Sequence, residues 1–361
     1  MVRALPLRRF CDVVASGAAG ATGRRGMRIA GPVVLAAASL ALMSGCGGGG
    51  GGASIVLYNG QHTQLTDALV AAFTKQTRIS VRMRTNDSLV LADQILQEGR
   101  DSPADVYLSE NSPELMTLEQ HGLLAKLSPS LLDQVPTRDD SPIGDWVAVA
   151  LRVSALVYDP ALLARSNLPT SILQLAQPQW KGKVAIAAVD SDFPPLVGAV
   201  IQTYGTKTAT AWLKGLKHNA ETYQDDESVV AAVNRGDVAC GVINQYYWYR
   251  LRLEVGNGGI HSALYYFPGG NVGSVTNISG AAVLASSKHQ ADAERFLGFI
   301  VSKAGQEIIA HSDDFEYPAR AGIKPNSQLP ALNAIAHATI SPVRLGNDAQ
   351  ASKLLEDIGL Y

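Results

Sequence analysis

The sequence predicts an α/β protein of two lobes, each built on its own doubly wound sheet and joined to the other by hinge strands. Three observations carry that reading. Strand and helix signals alternate from residue 54 onward, a second alternating series begins near Gly182, and an unusually long β-rich run lies between them. Alternation of this kind implies parallel strands with helices on both faces.

In chain order, residues 54–58 form a short β-rich run, and 62–77 follow with Leu65, Leu69, Ala72 and Phe73 at helical spacing. Residues 79–83 then predict a strand, 88–97 a helix with Leu89, Ala92 and Ile95 on one side, and 104–108 a strand. The second series runs from KVAIAAV after Gly182 through helices at 195–204, 208–216 and 228–234 to a strand at 237–243. Between the two, WVAVALRVSALVY at 146–158 is long enough to serve both lobes, and 279–285 is a second apolar run of this kind. Two shared strands could bend at their middles and act as a hinge. Helices expected at 290–304 and 350–358 pack back over both lobes. The expected boundaries are an N-lobe of 54–153 plus 277–327 and a C-lobe of 154–276 plus 328–361.

The first 45 residues are expected to be an address rather than part of either lobe. Arg24, Arg25 and Arg28 precede the apolar run IAGPVVLAAASLALM at 29–43, and Ser44, Gly45 and Cys46 follow it. Positive residues, a short apolar core and small residues make a secretory signal, too short for a spanning helix. The ending resembles the bacterial lipobox, which makes Cys46 the lipidated residue and 46–53 a lipidated Cys with a Gly tether, since the run Gly47–Gly52 has maximal backbone freedom. Met27 is read as the true start, with residues 1–26 untranslated. The expected location is therefore extracytoplasmic, held to the cell membrane by a lipid anchor only.

The 361 residues, 47% of them hydrophobic and 17% charged, are enough for two folded domains. Taking the six basic residues and Asp12 that precede Cys46 from totals of 30 and 32 leaves 24 basic and 31 acidic residues, a formal charge of −7. An acidic body argues against nucleic acid, which recruits binders through Lys and Arg, and suits a cationic ligand. With Cys11 and Cys46 in the address, Cys240 stands alone in an apolar run and reads as a small buried hydrophobe. A cysteine-rich zinc site is excluded.

Ligands of open parallel sheets bind outside the carboxyl ends of the strands. His62 lies just past the first strand, in YNGQH, Glu110 just past the third, in ADVYLSE, and Tyr246 and Tyr247 just past the second-lobe strand. Adjacent residues of a strand point to opposite faces, so Asn244 is expected instead to cap a helix starting near Tyr246, whose opening turn directs both phenols outward. Taken singly, YYWY reads as a packed aromatic helix face and Glu110 as a loop acid. Together, phenolate, carboxylate and imidazole suit a hard transition metal rather than Ca²⁺ or Mg²⁺. A free phenol titrates near ~10, so a highly charged metal is needed to remove both protons. With Glu110 ionised, three negative charges balance Fe(III). Two rivals stay open: a receptor for a thiamine-like or polyamine-like organic cation caged by Tyr246, Tyr247 and Trp248, and an extracytoplasmic hydrolase using Glu110 and His62, for which no nucleophile elbow, P-loop or His-Glu-x-x-His motif speaks.

In YNGQH at 58–62, SPADVYLSE at 102–110, PQWKGKVAIA at 178–187, WLKGLK at 212–217 and INQYYWY at 243–249, the chain resembles the ferric-ion-binding proteins of bacterial iron ABC importers, from about residue 54 to its end. The resemblance implies a periplasmic-binding-protein fold of the type II-like kind, no enzymatic activity, iron ligands at His62, Glu110, Tyr246 and Tyr247, and as partners an ABC permease with its ATPase. A monomer is expected. Many members complete the iron with a synergistic anion such as phosphate, on a Ser-Gly-Ala turn where this chain has Asp190, Ser191, Asp192 and Phe193, and on an Asn where it has Asp226. Asn111 replaces a Gln beside the Glu ligand, whereas Asn244 matches. The added carboxylates disfavour phosphate, so Asp192 or Asp190, water, or carbonate is expected in its place.

Overall fold

The computed structural model describes residues 53–136, 139–335 and 337–361. The signal segment, the start at Met27, lipidation at Cys46 and the tether through Gly52 lie outside them. Among the described residues no helix is long and apolar enough to cross a membrane.

The strands are β1 (Ser54–Asn59), β2 (Ser80–Thr85), β3 (Val106–Ser109), β4 (Trp146–Tyr158), β5 (Val184–Ile186), β6 (Ala220–Thr222), β7 (Cys240–Asn244), β8 (Ala263–Tyr265), β9 (Thr276–Val283) and β10 (Tyr317–Pro318). Their order is β2-β1-β3-β9-β4-β7-β5-β6, with β8 and β10 also paired to β4. The parallel pairs β1/β2 and β1/β3 form one half, and β5/β6 and β5/β7 the other.

β4 is the join. Residues Trp146 to Val153 pair with β9, and Ser154 to Tyr158 with β7, so the strand passes from one half to the other between Val153 and Ser154. All thirteen of its residues are buried, which explains its nearly unbroken apolar sequence. The expectation of two shared strands holds for β4 only. β9 begins opposite Val153 but pairs with β3 and β4 in the first half alone.

The helices fill the faces as their periodicity predicts. Thr63–Thr77 buries Leu65, Leu69 and Phe73, and Ser88–Glu98 is capped by Asp87, whose side chain accepts from the N–H groups of Leu89 and Val90. The expected helix at 290–304 is two, Gln290–Val301 and Lys303–His311, because Ser302 ends the first and caps the second. Phe296, Leu297 and Ile300 join the larger core cluster, whereas Leu354 and Leu355 of Ala349–Ile358 join a second cluster with Trp212 and Leu213. The helices at the end of the chain thus pack back over both clusters, one on each. Cys240 is fully buried in β7, and burial pushes its thiol up to about 12.

Candidate metal centre

A locked turn delivers His62 to the cleft. Gly60 follows β1 and its N–H donates to the carbonyl of Leu108 at 2.7 Å. A Cβ there would stand 2.2 Å from Oγ of Ser88, so the close approach requires glycine. The Asn59 amide donates to the carbonyl of Gln61, whose own amide donates to Ser279 and Glu316. Both side chains are buried, and His62, whose N–H donates to Oε1 of Gln61, stands at the N-cap position of Thr63–Thr77.

Glu110 follows β3, and its backbone N–H donates to Oγ of Ser88 at 3.0 Å. Its Oε1 lies 3.4 Å from Nε2 of His62. From the other half, β7 runs straight into the helix Gln245–Val255. Gln245 anchors that junction by accepting from the N–H of Val153 at 2.6 Å and donating to the carbonyl of Phe315. The opening turn places Tyr246 and Tyr247 side by side, ring centroids 4.0 Å apart. The ring of His62 is 5.1 Å from that of Tyr246 and 6.2 Å from that of Tyr247. All four predicted side chains therefore meet.

The flanking acids divide by what they bond. Asp190 accepts from the backbone N–H groups of Asp192 and Asp226, and Asp226 accepts from that of Asn244. These two acids hold loops together. Asp192 bonds one of the four side chains directly, its Oδ2 accepting from the Tyr246 hydroxyl at 3.2 Å. Asn111 donates to Asp192 and to the carbonyl of Ser191. Asn244 occupies the N-cap position, yet its side chain does not cap the helix. Its Oδ1 accepts instead from Asn277 at 3.0 Å, because the neighbouring strands offer a buried donor.

Two arginines complete the surroundings, and neither was singled out from the sequence. Arg152, fully buried on β4, donates to Asn111, Asp192 and Glu316 at 2.9 to 3.1 Å. Its signal was there to find: it is the one charge within thirteen apolar-patterned residues, and buried charges are paired. Arg250 lies one helical turn after Tyr246, on the same face, and its Nη1 reaches His62. The paired guanidinium of Arg152 offsets much of the carboxylate repulsion that the sequence alone suggested.

Burial, followed by the charges of Arg250 and Arg152, lowers His62 to about 3, so its imidazole is neutral. Burial raises Glu110, Tyr246 and Tyr247 well above their usual ranges. Burial also pushes the Asp192 carboxyl up, but Arg152 and the amide of Asn111 outweigh it and hold the group below the usual carboxylate range. Among the described residues no three His, Cys, Asp or Glu side chains are placed to hold a metal.

Trp248 takes no part in a cage with the two tyrosines. Its indole N–H donates to the carbonyl of Ser262, and it packs edge-on against Tyr249.

Residues 55–312 match the family described as bacterial extracellular solute-binding proteins. The chain is 38% identical over 330 residues to the Fe(3+)-binding periplasmic protein of Serratia marcescens, covering 91% of this chain and 97% of that one. It is 34% identical over 312 residues to the major ferric iron-binding protein of Neisseria meningitidis serogroup B, covering 85% and 93%. Among solved structures it is similar to iron-bound HitA from Pseudomonas aeruginosa, with a TM-score of 0.82 and 37% identity over 85% of this chain and 99% of that one.

Proposed function

The chain belongs to the bacterial extracellular solute-binding proteins, and from that membership we propose that it captures ferric ion in the cleft between its lobes and delivers it to an ABC permease driven by its ATPase. The observation that carries the reading is the meeting of His62, Glu110, Tyr246 and Tyr247 from strand ends of both halves. Relatives at 38% and 34% identity are named for binding ferric iron.

The chemistry suits a trivalent ion. Two phenolates and Glu110 supply three negative charges and His62 a neutral nitrogen. Asp192, ionised beside Arg152, or water fills a remaining position. The ligand set is complete only when the lobes are together, so metal binding favours the closed state through contacts that the open state lacks. Delivery to a permease then follows from recognition of that closed form. Lipidation at Cys46 would keep the carrier beside the membrane, and a monomer suffices, since one chain supplies the whole site.

Adding ferric ion to the purified protein should produce a visible tyrosinate charge-transfer band that saturates at one ion per chain. A protein that stays colourless under saturating ferric ion would overturn the reading. Metal analysis of protein purified without added iron checks it independently.

A further inference from the structure

The end of the first half opposite the metal centre carries a basic concavity of about 320 Å³, lined by Ser54 and Val56 of β1, Arg82 of β2, and Arg100, Asp105 and Lys288. His62 and Glu110 follow the carboxyl ends of β1 and β3, whereas Ser54 and Asp105 stand at their amino ends. Arg82, Arg100 and Lys288 are exposed, and among the described residues none of the three has a carboxylate partner. Asp105 is buried and turned inward, accepting from the N–H of Val56 at 2.8 Å and from the Ser287 hydroxyl at 2.6 Å. Asp101 is the other acid of the lining. Lys75 and Arg78, both exposed, close the helix Thr63–Thr77 next to Ser80, whose N–H donates to the carbonyl of Ala53 at 2.9 Å. These five cations gather around the start of β1 in a chain whose acids outnumber its bases after Cys46. A basic last turn offsets a helix dipole and arginines guard an edge strand, but neither reason reaches Arg100 or Lys288.

We propose that this end of the protein is a lipid-facing foot, which docks on the phosphate headgroups of an anionic bilayer. Guanidinium forks and ammonium groups are well matched to phosphate oxygens. What selects a bilayer over a soluble phosphate is the place where the chain enters the fold. Ser54 lines the concavity, and Cys46 precedes Ala53 by seven residues, which reach at most about 25 Å. A lipid on Cys46 therefore holds these cations beside the membrane surface. This rests on the lipid-anchored reading given above.

Docked this way, the protein keeps its metal centre off the lipid. β1 has six residues, about 20 Å at the rise of a strand, and it separates the concavity from His62. The acidic remainder of the chain is repelled by the same surface, which favours standing on this end over lying flat. Handing the cargo to a permease then requires the foot to lift.

The test couples the mature chain through the Cys46 thiol to maleimide-bearing vesicles of phosphatidylcholine, either alone or mixed with phosphatidylglycerol. Cys240 is fully buried and does not compete. Lysine acylation followed by mass spectrometry then reads exposure residue by residue. Lys288 should react about fivefold more slowly on the anionic vesicles, the scale of one cation at such a surface. Lys207 and Lys214, exposed on the helix Thr206–Asn219, should react alike on both. High salt should erase the difference. Arg82→Gln combined with Arg100→Gln removes two charges worth roughly fivefold each and should return Lys288 to its rate on neutral vesicles. Equal rates at Lys288 on the two vesicles, or equal slowing at all three lysines, would overturn the foot. Protection of Lys288 by glycerol 1-phosphate without vesicles would overturn the bilayer as its partner and assign the cations to a soluble phosphate ester. The mass of the native protein tests the reading beneath. An unmodified Cys46 would remove the anchor and the foot with it, whereas a lipidated Cys46 with an unprotected Lys288 would sink the foot alone.

Discussion

Nη2 of Arg152 lies 3.1 Å from Oδ1 of Asp192, while Nη1 lies 3.0 Å from Oε1 of Glu316. One buried guanidinium on the shared strand thus ties the turn before the helix Phe193–Tyr204 to an acid beside β10. Arg152→Met should cost about 3–5 kcal/mol, because it leaves two buried carboxylates without their partner. Chemical denaturation of the metal-free protein measures it, and a variant as stable as wild type would show that the network is dispensable.

Tyr246 and Tyr247 share one opening turn of helix with Trp248, yet only the first two face His62. Tyr246→Phe or Tyr247→Phe should abolish or shift the ferric charge-transfer band. Each should also weaken ferric binding by more than the roughly 10–100-fold that losing a supporting contact around a metal ligand costs. Trp248→Phe should leave band and affinity as they are. Equal losses in all three variants would point to damage to the helix rather than to removal of ligands.

The sequence made the meeting of His62, Glu110, Tyr246 and Tyr247 legible because each follows a strand whose apolar pattern is unmistakable, so the chain's own periodicity put four side chains at one sheet end. It did not reveal what those side chains lean on. Arg152 bonds residues 40, 41 and 164 positions away, and no local pattern encodes such partners. Asn244 shows the same limit: its position suits a cap, but Asn277, 33 residues on, supplies the donor it accepts from. Asp190 and Asp226 looked like cleft acids because backbone N–H acceptors are indistinguishable from ligands in a sequence.

Burial raises Asp140, Asp190 and Glu316 to about 7 in the folded chain. Between about pH 4 and 7 the folded state then holds more protons than the unfolded state, so their contribution to stability is full at low pH and is lost as pH rises through that window. His62, lowered to about 3, acts oppositely, because its contribution is lost as pH falls below 6.5. Three acids outweigh one histidine, so the metal-free protein should melt at a higher temperature near about pH 5 than near about pH 8. Ferric affinity should run the other way, since protons compete for the phenols and Glu110. Scanning calorimetry and colour titration at the two pH values check both signs, and parallel trends would refute the assignment.

Asp192 lies 3.2 Å from the Tyr246 hydroxyl and 3.1 Å from Arg152. A carboxylate held ionised by a guanidinium can complete a ferric ion directly, and it repels a second anion from the same place. Ferric ion should therefore bind in phosphate-free buffer, and added phosphate should leave the charge-transfer band unmoved. Asp192→Ser removes both the ligand and the repulsion while keeping Arg152 as an anion partner, so in that variant phosphate should shift the band and restore affinity. A wild-type band that moves with phosphate would mean that Asp192 yields its place to the anion.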